Sequence, residues 1–474
     1  MGTSRTKIAA IAALTSALWP AAALPQQGGA AAPGGFHFGY GVSTTLTVDD
    51  NFSLVPVSPG SSTIFDTKFD FGISSVTPLH SLIIRGSTVL RYADIPGRSI
   101  SGLEEPTLRL NYTTGNRNSK FSVDGRYRRV DREFLDPFQV EAEESDPTVD
   151  LLGGGGTVTT RRAGVTYQTG INGPLGFTLA LSHDDKTYSG LPAALPPATA
   201  ARLFDTDTDR VNATVTARVS PVTQLRFSAG LIQYNATDLV QTDRRTEDYS
   251  IGIVQDINPV LVLDAQVGYT NVDTTTLFGT TTRDGLTGAL GLTQTLRNGT
   301  VFGNLNSTVN QNGTRTTFRF GRTLQLKTGR FAGSLGATRG PNGSTQAVAS
   351  LSYDQQINRT SDITVTLDRS ASTNNLSEDV LSTKLGVKYG YAIDSVSRFD
   401  ISVNLARTEN IDNSTAPTVD RRTLRATYTR SLTPDWDLTG GFALRYRKDS
   451  TVAAGPADSN SVFLTLDRKF SFRP

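Results

Sequence analysis

The sequence predicts an all-β, antiparallel transmembrane up-and-down barrel of about 22 strands, within a range of roughly 16 to 24. Three observations carry that expectation. Apolar and polar residues alternate in segment after segment along the chain. The connections between these segments alternate between tight turns and longer loops. The chain opens with an export-type segment, and no other long uncharged apolar stretch follows it.

Arg5 and Lys7 precede the apolar run "IAAIAALTSALWPAAAL", and Ala21-Ala22-Ala23 fits a small-x-small cleavage site, so residues 1–23 read as a signal peptide. The run is short and holds Pro20 near its end, which argues against a membrane anchor. Residues 24–35, "LPQQGGAAAPGG", form a flexible tether, and the barrel is expected over 36–474. Loss of Arg5 and Lys7 leaves the remaining chain formally neutral, which gives no reason to expect a nucleic-acid partner. With no cysteine there is no disulfide and no thiolate metal site.

The first strand is "FHFGYGVSTTLTV". Phe36, Phe38, Tyr40, Val42, Leu46 and Val48 share one parity, while His37, Ser43, Thr45 and Thr47 share the other. Alternation over such a length is a strand with one apolar face. The pattern returns with Phe65, Phe69, Phe71 and Ile73, with Val211 through Val219, and with Phe399, Ile401, Val403 and Leu405. Strands of about 9 to 13 residues suit a tilted crossing of the bilayer.

The expected tight turns are centred on 77–81, 115–119, 171–176, 220–224, 256–260, 297–299, 327–329, 357–361, 393–397 and 433–436. All are rich in Gly, Pro, Asn and Asp. The expected longer loops are 93–105, 130–155, 184–207, 273–283, 408–420 and 448–459, with two short exceptions near 311–314 and 340–345. Short turns at one end and long loops at the other are the signature of a barrel with periplasmic turns and external loops.

The chain ends in "SVFLTLDRKFSFRP", whose alternation persists to Phe470 and Phe472, broken only by Arg468. A last strand that closes the sheet against the first explains this, because closure removes both edges. Phe470 and Phe472 also resemble the assembly signal of bacterial outer-membrane proteins, although Arg473 and Pro474 follow them. Tyr92, Tyr112, Tyr127, Tyr167, Tyr269, Tyr353, Tyr389, Tyr428, Trp436 and Tyr446 share the apolar parity, as girdles at the two interfaces would require.

Catalytic chemistry finds little support. There are three histidines, and His183 sits beside Ser182 on one strand, so the two side chains point to opposite faces. "GGGG" at 153–156 lacks the Lys-Ser/Thr of a phosphate loop. No catalytic, cofactor-binding or metal residues are assigned, and no cofactor is expected. The acidic run "EAEESD" (141–146) suits a solvated loop, or carboxylates holding the divalent cations of lipopolysaccharide. The lumen parity is richer. It carries Arg85, Arg91, Arg109, Arg126, Arg162, Arg210, Arg218, Arg226 and Arg319, with Asp124, Asp264 and Asp368 opposing them. One reading is a cross-strand network that neutralises the wall. The other is a basic arc that favours anionic solutes such as acidic sugars.

The run "VSTTLTVDDNFSLVP" followed by "IFDTKFDFGISSVTPLHSLIIRGSTVLRY", with its Asp50-Asn51-Phe52 and Pro78, resembles the start of a family of outer-membrane β-barrel porins. The ending "FSFRP" is similar too. The resemblance implies a setting in exopolysaccharide production or export, and it brings no catalytic residues. The expectation is therefore a porin-like outer-membrane channel for polar solutes or polysaccharide, with no enzymatic activity. Its expected partners are outer-membrane lipid and lipopolysaccharide, the barrel-assembly machinery, and exopolysaccharide or its export system. The alternatives are a non-conducting adhesin or structural barrel and, less consistent with the alternating connections, a soluble β-solenoid. Loops 130–155 and 184–207 are the expected constriction.

Overall fold

The computed structural model describes residues 35–140, 154–193, 197–411, 418–450 and 455–472. The expected signal peptide, nearly all of the tether and the acidic run 141–146 lie outside the described residues, as do parts of four expected loops.

The described residues contain 22 strands in one sheet. The first eight are β1 (Phe36–Asp49), β2 (Ser62–Val76), β3 (His80–Ile95), β4 (Arg98–Gly115), β5 (Ser119–Asp131), β6 (Thr157–Thr169), β7 (Leu175–Ser189) and β8 (Thr206–Ser220). Then come β9 (Thr223–Ala236), β10 (Asp243–Asn258), β11 (Leu261–Thr276), β12 (Gly279–Leu296), β13 (Gly299–Asn310), β14 (Gly313–Leu326) and β15 (Gly329–Arg339). The last are β16 (Thr345–Gln356), β17 (Ser361–Thr373), β18 (Asp379–Ala392), β19 (Ser397–Asn410), β20 (Val419–Thr433), β21 (Trp436–Asp449) and β22 (Ala457–Phe472). A single helical turn, α1 (Pro197–Ala200), interrupts the connection between β7 and β8.

Each strand pairs antiparallel with its sequence neighbours, and β22 pairs with β1 to close the ring. The closing register sets Tyr40 opposite Phe470, Leu46 opposite Leu464 and Val48 opposite Val462. The rings of Tyr40 and Phe470 stack at 4.4 Å. The backbone of Phe472 pairs with Phe38. Arg468 also faces outward, near the periplasmic end, between the rings of Trp436 at 4.9 Å and Phe470 at 4.2 Å.

The apolar residues lie on the outside. Phe65, Phe69, Leu90, Phe227, Ile251, Leu290, Phe318, Phe320, Leu335 and Leu464 are all exposed, whereas the buried hydrophobic residues are mostly small or at the mouth. In water that distribution would be unstable. A bilayer reverses its sign, and a closed sheet leaves no backbone group unpaired in hydrocarbon.

The ten tight turns fall where the sequence places them, at the end of the ring that also holds the start of β1 and the end of β22. The strands run from 11 to 18 residues, longer than expected. Two expected loops, 93–105 and 273–283, are in fact tall hairpins joined by two-residue turns at 96–97 and 277–278. Above the lipid the outward face becomes polar, as Asp94 opposite Ser99 shows, so the outward apolar beat stops while the backbone ladder continues. Gly97, with φ of 86°, supplies the left-handed turn that a side chain would strain.

Candidate functional site

The outer mouth is crossed by inward-folded connections. After β5 the segment 132–140 leaves the wall. Phe134 packs in a cluster with Phe52, Ile64, Ala93, Ile95 and Ile100, and the Arg91 guanidinium lies 3.5 Å from its ring centroid. Phe138 of the same segment packs on Ala406 of β19 and Val419 of β20. This segment therefore spans the mouth above the seam. A second chord comes from the connection between β7 and β8. Arg202 Nη1 and Nη2 donate to Glu378 Oε2 and Oε1, each at 2.7 Å. Glu378 lies between β17 and β18, ten strands away in a ring of 22, so the pair clasps nearly opposite walls. Asn374 Nδ2 donates to the same carboxylate at 2.8 Å. A third contact ties the tip of the β13–β14 hairpin to β18, where Arg315 and fully buried Asp379 pair at 2.7 Å.

Beneath these chords lies a cavity of about 1370 Å³. Its lining includes Arg126, Arg162, Asp184, Arg210 and Lys186 on one wall, and Asp354, Asp368 and Lys384 on the other. The register places Arg85 of β3 opposite Arg109 of β4, Arg109 opposite Arg126 of β5, and Arg126 opposite Arg162 of β6. Asp184 of β7 comes next. Arg162 lies 3.7 Å from Asp124 and 3.5 Å from Asp184, which also pairs with Arg210.

The remaining lumen residues have separate positions. Arg226 pairs with Asp264. Arg218 donates to the carbonyls of Gly170 and Gly173, which anchors a periplasmic turn. Asp368 stands opposite Lys384 and accepts from Ser370 at 2.8 Å. Arg319 stands opposite Asn304 and Gly336. Arg91 is only 4% exposed and pairs with Asp66 and Glu105, so it holds the folded-in segment and does not line open lumen. Arg202, Glu378, Phe134 and Phe138 were not singled out from the sequence. The apolar residues of "VDREFLDPFQV" were the available signal, since a solvated loop gains nothing from two phenylalanines.

His183 is on the outward face near the outer rim, 2.8 Å from Asp209 and 3.7 Å from Asp207. Ser182 is oriented instead toward Asp184 in the lumen, at 3.4 Å. Serine and histidine thus stand on opposite sides of the wall. His183, Asp207 and Asp209 could offer three ligand atoms to a cation, but the imidazole itself bridges the two carboxylates.

The Asp50-Asn51-Phe52 motif closes the seam. Asp50 accepts from the Asn460 backbone and side chain at 2.7 Å each. Asn51 Nδ2 donates to the carbonyls of Asp458 at 2.8 Å and Val55 at 2.7 Å. Behind them Asp49 accepts from Arg445 at 2.7 Å and Ser459 at 2.8 Å.

A closed sheet with apolar residues outside and polar residues around a lumen defines a transmembrane β-barrel of the outer-membrane type. Solved structures agree on the fold. The FrpB iron transporter from Neisseria meningitidis (F3-3 variant) aligns over 92% of this chain and 81% of its own, with TM-score 0.57 and 10% identity. The siderophore receptor PirA from Acinetobacter baumannii covers 92% of this chain and 80% of its own, with TM-score 0.56 and 9% identity. The ferric enterobactin receptor PfeA of Pseudomonas aeruginosa, a Q482A mutant with enterobactin, covers 91% and 81%, with TM-score 0.54 and 9% identity. No family model matches the chain. No curated protein matches it either. At these identities the similarity describes architecture.

Proposed function

We propose that this chain is a porin-like outer-membrane channel for polar solutes, saccharide chains among them, whose mouth is narrowed by its own loops. The observation that carries the proposal is the polar cavity beneath the Arg202–Glu378 clasp. Barrels of this width need filling to become selective. Here the chords at 132–140 and 202–378 supply that filling from above. Transport by the structural neighbours is consistent with the reading, as are the resemblance of the opening strands to porins and the export-type start of the sequence. On this reading the outer wall meets lipopolysaccharide, and Phe470 and Phe472 serve recognition by the barrel-assembly machinery.

Single-channel recording of the refolded protein in planar bilayers tests it. Wild type should give an ohmic conductance, and Arg202→Ala a larger or more frequently open one. Loss of a charge-assisted bidentate pair is worth about 1–3 kcal/mol, enough to free the loop. Silence from both proteins would favour a structural or adhesive barrel.

A further inference from the structure

Arg244 lines the cavity, half-buried on the inward face of β10, opposite Tyr234 of β9 and Thr274 of β11. Its guanidinium stands 5.2 Å from the Tyr234 ring centroid. Nε donates to Thr274 Oγ1 and Nη2 to Ser377 Oγ, both at a long 3.4 Å. Among the described residues no carboxylate forms an ion pair with it, and its Nη1 makes no hydrogen bond. Asp238, whose charge reaches it from a distance, accepts from the backbone N–H and hydroxyl of Thr242 at 2.9 and 2.7 Å. Other arginines near by are answered differently. Arg162 and Arg210 of the same cavity pair with Asp184, and Arg202 above it pairs with Glu378. A half-buried guanidinium without a counter-charge is costly, and two neutral hydroxyls at that distance repay little of the cost. A bound anion would complete the site.

We infer that Arg244 is the carboxylate-binding residue of a saccharide site beside the clasp, and that its ligand is a sugar unit with one acid group, a hexuronate. The inference deepens the channel reading and rests on it. Ser377 immediately precedes Glu378, so its contact with Arg244 sets the guanidinium beside the turn that Arg202 holds. Around it the cavity presents Thr246, Asn310, Gln311 and Asn374, neutral hydroxyl and amide groups that suit the hydroxyls of a sugar. Ile232 offers an apolar contact for its C–H face. One cation suits one anionic group, and a planar guanidinium edge takes a carboxylate through two parallel hydrogen bonds. A neutral sugar would leave the charge unanswered. A small inorganic anion would answer the charge but fill little of a cavity of about 1370 Å³.

The test is calorimetric titration of digalacturonate, maltose and inorganic phosphate onto the refolded protein in detergent micelles at low salt. Digalacturonate should bind, and maltose and phosphate should each be at least about tenfold weaker. Arg244→Gln should weaken digalacturonate by at least about tenfold and keep heat-modifiable migration. Arg245→Gln, on the outward face of the same strand, should bind as wild type does. If Arg244→Gln does not fold, Arg244→Lys keeps the charge without the planar edge and should still bind several-fold more weakly. Maltose as tight as digalacturonate, or undiminished binding by the folded Arg244 variant, overturns the acid contact. Phosphate as tight as digalacturonate overturns the saccharide ligand, and absence of wild-type binding sinks the proposal. Titration needs no conductance. Binding that the variant loses, in a protein that carries no current, would keep the site and sink the channel reading; a conducting protein that binds no digalacturonate would do the reverse.

Discussion

Arg468 and Glu378 illustrate how one charged residue is tolerated for two different reasons. Arg468 breaks the apolar beat of β22 on the lipid side, but close to the periplasmic interface. There its stem can bury while its head stays between Trp436 and Phe470. Glu378 is held by its partner across the lumen. Burial, the largest single influence, pushes its carboxyl up, yet the hydrogen bonds from Arg202 and Asn374, with the charge of Arg202, outweigh it and leave the group below its ordinary 4.5. A carboxylate lowered in the folded state contributes stability that is complete above its free value and lost as pH falls through the folded one. The clasp should therefore hold unchanged from neutral pH down to about 4.5 and release only below that. Conductance measured against pH should be flat and then rise in strong acid. A rise already near neutrality would mean that another group controls the mouth.

At the scale of a strand, the outward and inward faces answer to different solvents. Phe318, 51% exposed on β14, faces the bilayer, and Asn404 on β19 faces the cavity. Phe318→Arg should destabilise the barrel by about 2–4 kcal/mol, as charges near mid-membrane do. Asn404→Lys should cost little by comparison. Urea unfolding in lipid vesicles distinguishes them, and equal losses would contradict the assignment of faces. The tall hairpins at the outer end follow the same logic. Once the outward face meets water instead of lipid, strand pairing continues without an outward apolar beat, which is why 93–105 and 273–283 read as loops in the sequence.

For the whole molecule, closure is the decisive contact. β22 meets β1 over the full register from Asp49 opposite Ser461 to Phe38 opposite Phe472. Asp49, Asp50 and Asn51 fasten the outer end of that seam. Deleting residues 457–474 would expose the edges of β1 and β21, and unpaired edges are not tolerated in hydrocarbon. The truncated chain should lose heat-modifiable migration and fail to insert into vesicles; a compact inserted species would show that closure is dispensable.

Sequence alone led to a closed barrel of about 22 strands, to the ten tight turns and to the outward placing of the apolar beat. A period of two assigns faces directly, and tight turns require Gly, Pro, Asn or Asp. It did not determine that Arg85, Arg109, Arg126 and Arg162 stand opposite one another on successive strands, that Arg91 is covered by Phe134, or that Arg202 reaches Glu378. Such alignment depends on the register between neighbouring strands, and chords across a lumen depend on its closed circumference. Both belong to the assembled ring, because no local stretch of chain encodes the distance to the opposite wall.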